Sequence, residues 1–227
     1  MNINHRLIKH YLRNVRFITG TAYAGKSTMA KMLSEAYGLI HCGENYDCIP
    51  PGILNPEQYP NLSYFETMKD WQEFIHRPPE LYEKWIFGNK QELAEFEITY
   101  LIHISKSQIV IVDTNIPVDI LQKIADYNQV AVMLSPQSMS VEKFFDRQDP
   151  DKVFIKEQIM KSDHPEKSMA HFLSCIGRVN SKKHYDDLAN SGFLTVLRDD
   201  SETDTKSEVI ALLARHFGLS ESTPLKT

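Results

Sequence analysis

Gly20-Thr21-Ala22-Tyr23-Ala24-Gly25-Lys26-Ser27 decides how the rest of the chain is read. Two glycines enclose four residues, and Lys and Ser follow; this is the spacing of a loop that cradles phosphate. At ordinary residue frequencies a random chain of this length matches the pattern roughly once in a hundred tries. The flanks agree with it. Residues 15–19, Val-Arg-Phe-Ile-Thr, read as a short buried strand. Residues 28–37 read as a helix with Ala30, Leu33 and Tyr37 on one face and Gly38 as its stop. Gly20 and Gly25 can take positive φ and leave no Cβ in the way. Main-chain N–H groups can then converge on a phosphate beside the positive end of the helix. The expected contacts run over Gly20, Thr21, Ala22, Tyr23, Ala24, Gly25, Lys26, Ser27 and Thr28. Lys26 would reach the β- and γ-phosphates and Ser27 would ligate a Mg²⁺ between them.

Composition sets the bounds. A chain of 227 residues, 42% hydrophobic, suits one α/β domain carrying a smaller inserted part. A net charge of −5 argues against non-specific binding to nucleic acid or to an anionic membrane. Cys42, Cys48 and Cys175 form neither a disulfide framework nor a zinc spacing. Cys42 and Cys48 with His41 are a conceivable metal set, but buried thiols and a surface histidine explain them equally simply. No apolar run approaches 18 residues, and residues 1–16 lack the apolar core of a signal peptide. The expectation is a soluble cytoplasmic protein.

Further along, residues 39–42 read as a second strand ending in Gly43-Glu44-Asn45-Tyr46-Asp47. Ligands of parallel α/β sheets sit beyond the carboxyl ends of the strands. Glu44 and Asp47 are therefore both candidates to accept a proton from a substrate hydroxyl. Residues 48–104 are rich in proline and aromatic residues and too long for a simple crossover. They read as a helical insertion, roughly 63–75 and 79–104, over the carboxyl edge of the sheet. Most of its aromatic residues are expected to form the insertion's own small core, and some to line a pocket. Arg77 is a candidate anion clamp or a cap on the preceding helix.

Residues 108–114 are the clearest buried strand, four β-branched residues followed by Asp113. A strand-end acid of this kind faces the metal in nucleotide-binding sheets; the competing role is a cap on the next helix, which Thr114 or Asn115 could also fill ahead of Pro117 at a first helical position. A helix over 118–127 and a strand over 130–134 follow. Within 138–188 no strand is evident; helices are expected over 141–147, 153–161 and 166–179. A charged helical excursion here suits a lid that excludes water. Arg147 and Arg178 are its candidates to stabilise charge on a transferring phosphoryl group. Residues 193–197 read as the last strand. The loop 198–203 would border an adenine. Thr205 and Glu208 have the spacing of a capping box for a final helix ended by Gly218.

With these pieces placed, the chain resembles the P-loop small-molecule kinases: nucleoside monophosphate kinases, shikimate kinase, gluconate kinase and relatives. The matching features are Gly20 to Thr28, the acids after the second strand, the strand ending at Asp113 and the helical stretch between the fourth and fifth strands. The resemblance spans residues 15–217. It implies a three-layer α/β/α P-loop NTPase fold with a five-stranded parallel sheet in the order 2-3-1-4-5, ATP with Mg²⁺ held by Ser27 and Asp113, and closing acceptor and lid regions. Lids in this family often carry several arginines close together, whereas this segment offers Arg147 and then Arg178. The acceptor region lacks the arginine pattern of a nucleotide acceptor and is unusually aromatic. The expected function is ATP-dependent phosphoryl transfer to a small hydroxyl-bearing or phosphorylated metabolite, with Lys26, Asp113, Glu44 or Asp47, Arg147 and Arg178 as catalytic candidates. The alternative is a non-catalytic ATP-binding regulatory or adaptor protein. A GTPase switch would show Asp-x-x-Gly after the metal strand, but Thr114-Asn115-Ile116 follows Asp113.

Overall fold

A computed structural model describes residues 4–146, 149–198 and 205–219, with the backbone alone at 137 and 138. Five strands form one sheet: β1 (Val15–Gly20), β2 (Ile40–Cys42), β3 (Val110–Asp113), β4 (Val130–Leu134) and β5 (Leu194–Leu197). Their order is β2-β3-β1-β4-β5 and every pairing is parallel, as the resemblance implied. The helices are α1 (His5–Tyr11), α2 (Lys26–Tyr37), α3 (Tyr64–Thr67), α4 (Trp71–Ile75), α5 (Pro79–Ile104), α6 (Val118–Ile124), α7 (Gln137–Glu142), α8 (Pro150–Met160), α9 (Pro165–Val179), α10 (Lys182–Ala189) and α11 (Lys206–His216).

Successive side chains of a strand point to opposite faces, and both faces of this sheet are covered. Val15, Phe17, Val110 and Val112 pack on one side with Leu101, Leu121 and Ile124. Ile18, Ile111, Ala131 and Met133 pack on the other with Leu33, Leu213 and Phe217. This is why the strands read as continuous apolar runs rather than alternating ones. Arg16 ties the last helix to the sheet, its Nε donating to the Phe217 carbonyl at 3.0 Å.

A third core lies outside the sheet. Phe74, Ile75, Tyr82 and Trp85 of the expected insertion share it with Ile159, Phe172, Cys175 and Ile176 of the 138–188 segment. Ring contacts cross the boundary: Tyr82 to Phe172 at 5.6 Å and Trp71 to Phe154 at 4.8 Å. The aromatic residues that crowd the insertion are thus mostly core. Helix α5, about 39 Å long at 1.5 Å per residue, joins the two regions: Tyr82 and Trp85 enter the outer core, Ala94 and Leu101 the sheet core. The proline-rich approach to it is pinned by Glu92, which accepts from the Asn61 and Leu62 amides, and by Trp85 Nε1, which donates to Asn61 O at 2.9 Å.

Several expected elements differ: the helix expected over 141–147 lies earlier, as α7, with its C-cap at Lys143, and the one expected over 118–127 ends at Ile124. The helix expected over 63–75 breaks into α3 and α4, because Met68 is extended and the Asp70 side chain accepts from the Glu73 amide as a new N-cap. Helix α10 was not anticipated. The Thr205–Glu208 capping box is absent: Thr205 has φ −95° and ψ 10°, and its side chain makes no cap bond.

Candidate phosphate and acceptor site

Strand register assembles the site. Ile18 pairs with Asp113 and Cys42 with Val112, so the chain leaving β1, β2 and β3 emerges at one edge. Gly20 pairs with Met133 so closely that a Cβ would lie 1.8 Å from the Met133 carbonyl oxygen, and its φ is 137°. No other residue fits there. Gly25, at φ 85°, is the N-cap of α2 and contributes no side-chain bond.

Three carbonyls of the loop between them are taken by side-chain donors. Lys26 Nζ donates to Thr21 O at 3.1 Å, Ser135 Oγ to Ala22 O at 2.6 Å, and Arg198 to Tyr23 O. Thr21 Oγ1 in turn accepts from the Ser135 amide at 2.8 Å. Among the described residues, no protein acceptor takes the amides of Ala24, Gly25 and Lys26. Free amides at the start of a 12-residue helix, with Lys26 buried beside them, are suited to an anion. Ser27 and Thr28 are exposed at the same helix end.

Ser27 Oγ donates to Asp113 Oδ2 at 2.6 Å, while Asp113 Oδ1 is buried with no hydrogen-bond partner. Burial pushes the Asp113 carboxyl above its ordinary range; Lys26 and the Ser27 hydrogen bond oppose the shift, and Glu44 adds to it. Asp113 does not cap the following helix. Pro117 itself is that N-cap rather than the first helical residue, so the helix starts one residue later than expected, and the cap has no side-chain bond. Ser27 Oγ and the orphan Asp113 oxygen fit a hard divalent cation. Among the described residues, no group of three or more His, Cys, Asp or Glu is placed to hold a metal. The rest of such a shell would come from phosphate oxygens and water, as is usual for Mg²⁺.

A cavity of about 800 Å³ opens from the loop, within the range of small-molecule sites. Residues 19–22, Lys26 and Glu44 line one side; Ile86, Phe87 and Lys90 of α5, residues 115–119, and α10 line the other. The structure separates the two candidate bases. Glu44 lines the cavity, and Asp47, exposed on the same loop, does not. Arg178 is engaged elsewhere. It is not among the lining residues, and its guanidinium is held by Glu83 at 2.6 Å and Glu80 at 3.1 Å. The two acids belong to α5, 95 and 98 residues earlier in the chain, and the packing of α5 on α9 brings them to the guanidinium. Arg147 and residues 199–203 lie outside the described residues. Arg77 stands over the Tyr64 ring at 4.1 Å, within the outer helical layer, and does not line the cavity.

Two charged residues escaped the sequence reading. Lys90 and Glu97 lie on the α5 stripe Ile86, Lys90, Ala94, Glu97, Leu101, whose spacing of three and four residues marks one helix face. Charges on an otherwise apolar stripe were the available signal. Glu97 is 3% exposed, and burial pushes its carboxyl up to about 7; Thr114 and Tyr46 oppose the shift and Asp113 adds to it. Burial first, then the charge of Glu97, pushes the buried Cys42 and Cys48 thiols up to about 11, which disfavours the thiolates a metal would need. No described helix is long and apolar enough to cross a membrane. No family model matches the chain, and no curated protein matches it significantly.

Proposed function

We propose that this chain binds ATP with Mg²⁺ on the loop from Gly20 to Thr28 and transfers a phosphoryl group to a small acceptor in the adjoining cavity. The observation that carries the reading is the Ser27–Asp113 contact at 2.6 Å beside free loop amides, opening into a cavity of about 800 Å³. In the proposed mechanism the amides of Ala24, Gly25 and Lys26 hold the phosphates. Lys26 Nζ exchanges the Thr21 carbonyl for a β,γ-phosphate oxygen. Ser27 and Asp113 hold Mg²⁺, which when bound neutralises charge on the phosphates. Glu44, on the cavity wall, orients the acceptor hydroxyl and takes its proton. The walls of α5 and α10 exclude water from the transfer. Positioning and fixed charge supply most of the rate in this chemistry.

One observation favours a second reading, an ATP-binding regulatory or adaptor protein: among the described residues, no arginine lines the cavity. A screen of small hydroxyl-bearing and phosphorylated metabolites for acceptor-dependent ADP formation separates the two. Acceleration by one of them is expected for the transferase; ATP binding without any acceleration supports the adaptor. Thermal shift with ATP against GTP decides the donor.

A further inference from the structure

Most charges around the cavity are already neutralised. Lys183 is paired with Asp187 at 2.6 Å, Asp186 with Lys182, His184 with Glu83 at 2.8 Å, and Asp119 with Lys123 at 3.6 Å. Lys26 is committed to the loop. Two lining charges remain, Lys90 and Glu44, and among the described residues neither has an ion-pair partner within 4.0 Å. Lys90 is partly buried on α5, and its Nζ stands 5.6 Å from the centre of the Phe87 ring. Its ammonium is held below the ordinary lysine range by burial and then by the charge of Lys26, with Glu44 opposing both. A partly buried cation with no direct ion-pair partner, facing an open cavity beside a second cation, is suited to a bound anion.

We infer that Lys90 is the acceptor-side cation of the cavity, and that the acceptor is a small molecule carrying a phosphate or carboxylate which Lys90 Nζ holds while its hydroxyl faces Glu44. The inference rests on the transferase reading for the word acceptor, but the anion site itself stands on the cavity. Lysine grips such a group as a point charge, without the fork of an arginine. This accounts for anion recognition in a cavity whose described lining contains no arginine.

The test is calorimetric. Wild type is saturated with Mg²⁺ and a non-hydrolysable ATP analogue, which fills the loop, and is then titrated with methyl phosphate and, separately, acetate. Saturable binding of either is expected, and the stronger of the two names the acceptor's charged group. Lys90→Met should weaken it by at least about tenfold, and by more than it weakens the analogue. Lys90→Arg should restore part of it, and Glu44→Gln should tighten it by removing the competing carboxylate. No saturable binding to wild type, or equal binding to Lys90→Met, overturns the inference. If the analogue itself does not bind, the transferase reading fails separately. The anion site is then read without nucleotide in the Lys26→Ala background, where binding that depends on Lys90 supports it and binding that ignores Lys90 overturns it. Circular dichroism and Tm show that each variant is folded.

Discussion

The loop from Gly20 to Ser27 is fixed through its own backbone atoms, and the stretch of cavity wall from Ile86 to Lys90 is fixed through side chains. On the loop, Gly20 abuts the Met133 carbonyl, and three loop carbonyls accept from Lys26, Ser135 and Arg198. On the wall, α5 is positioned by rings: Trp85 meets Phe74 at 5.3 Å, Tyr82 meets Phe172 at 5.6 Å, and Phe87 lies 4.2 Å from His184. A backbone-built surface allows few residue types and therefore fixes its ligand class. A side-chain-built surface tolerates exchange and can change its ligand while the fold stays.

Breaking the loop should have the largest effect. Gly20→Ala forces a Cβ into main-chain atoms that cannot retreat without parting β1 from β4. A loss of about 3 kcal/mol or more is expected from urea unfolding, with nucleotide binding abolished; near-native stability would mean the close approach is not obligatory. On the wall, Phe172→Ala removes a fully buried ring and should cost about 3–5 kcal/mol. The two should differ in kind: what remains folded of Phe172→Ala keeps its nucleotide affinity and loses acceptor turnover. Equal loss of both would erase the contrast between the surfaces.

Glu97 links them, lying on the wall helix and feeling the charge of Asp113. Its folded-state carboxyl is raised from 4.5 to about 7, so the native state binds the proton more tightly than the unfolded chain. Its stabilising effect is therefore complete below about pH 4.5 and is lost as pH rises through about 7, by roughly 3 kcal/mol at most. Glu97→Gln should flatten the stability profile between pH 5 and pH 8, and an unchanged slope would remove Glu97 as its source. The smallest effect is expected of Arg178→Ala. That guanidinium sits in an exposed ion-pair cluster, so turnover should stay within about twofold of wild type; a large fall would return Arg178 to the phosphate site.

The same contrast explains what could be read in advance. Gly20, Gly25, Lys26 and Ser27 were legible because backbone geometry admits few alternatives at each. The runs 109–112 and 130–134 were legible because a sheet covered on both faces demands apolar residues throughout. Glu44 and Asp47 were indistinguishable in sequence, since which of two loop acids turns toward a cavity depends on the fold around it. The pairing of Arg178 with Glu80 and Glu83, some 95 residues earlier, could not be read in advance, because they meet only in three dimensions. Lys90 was passed over because a lysine on a long helix is usually solvated, and only the fold places it on the wall of a cavity. Helix α10 was missed because it is short and its sequence is mostly polar.

The most direct measurement is a calorimetric titration of Mg²⁺-ATP into wild type and into Lys26→Ala. Saturable binding at one site is expected for wild type, with a loss of at least about 100-fold in affinity in the variant and no change in its circular dichroism. Absence of binding to wild type, or equal binding to both proteins, would contradict the assignment of the Gly20 to Thr28 loop as a phosphate site.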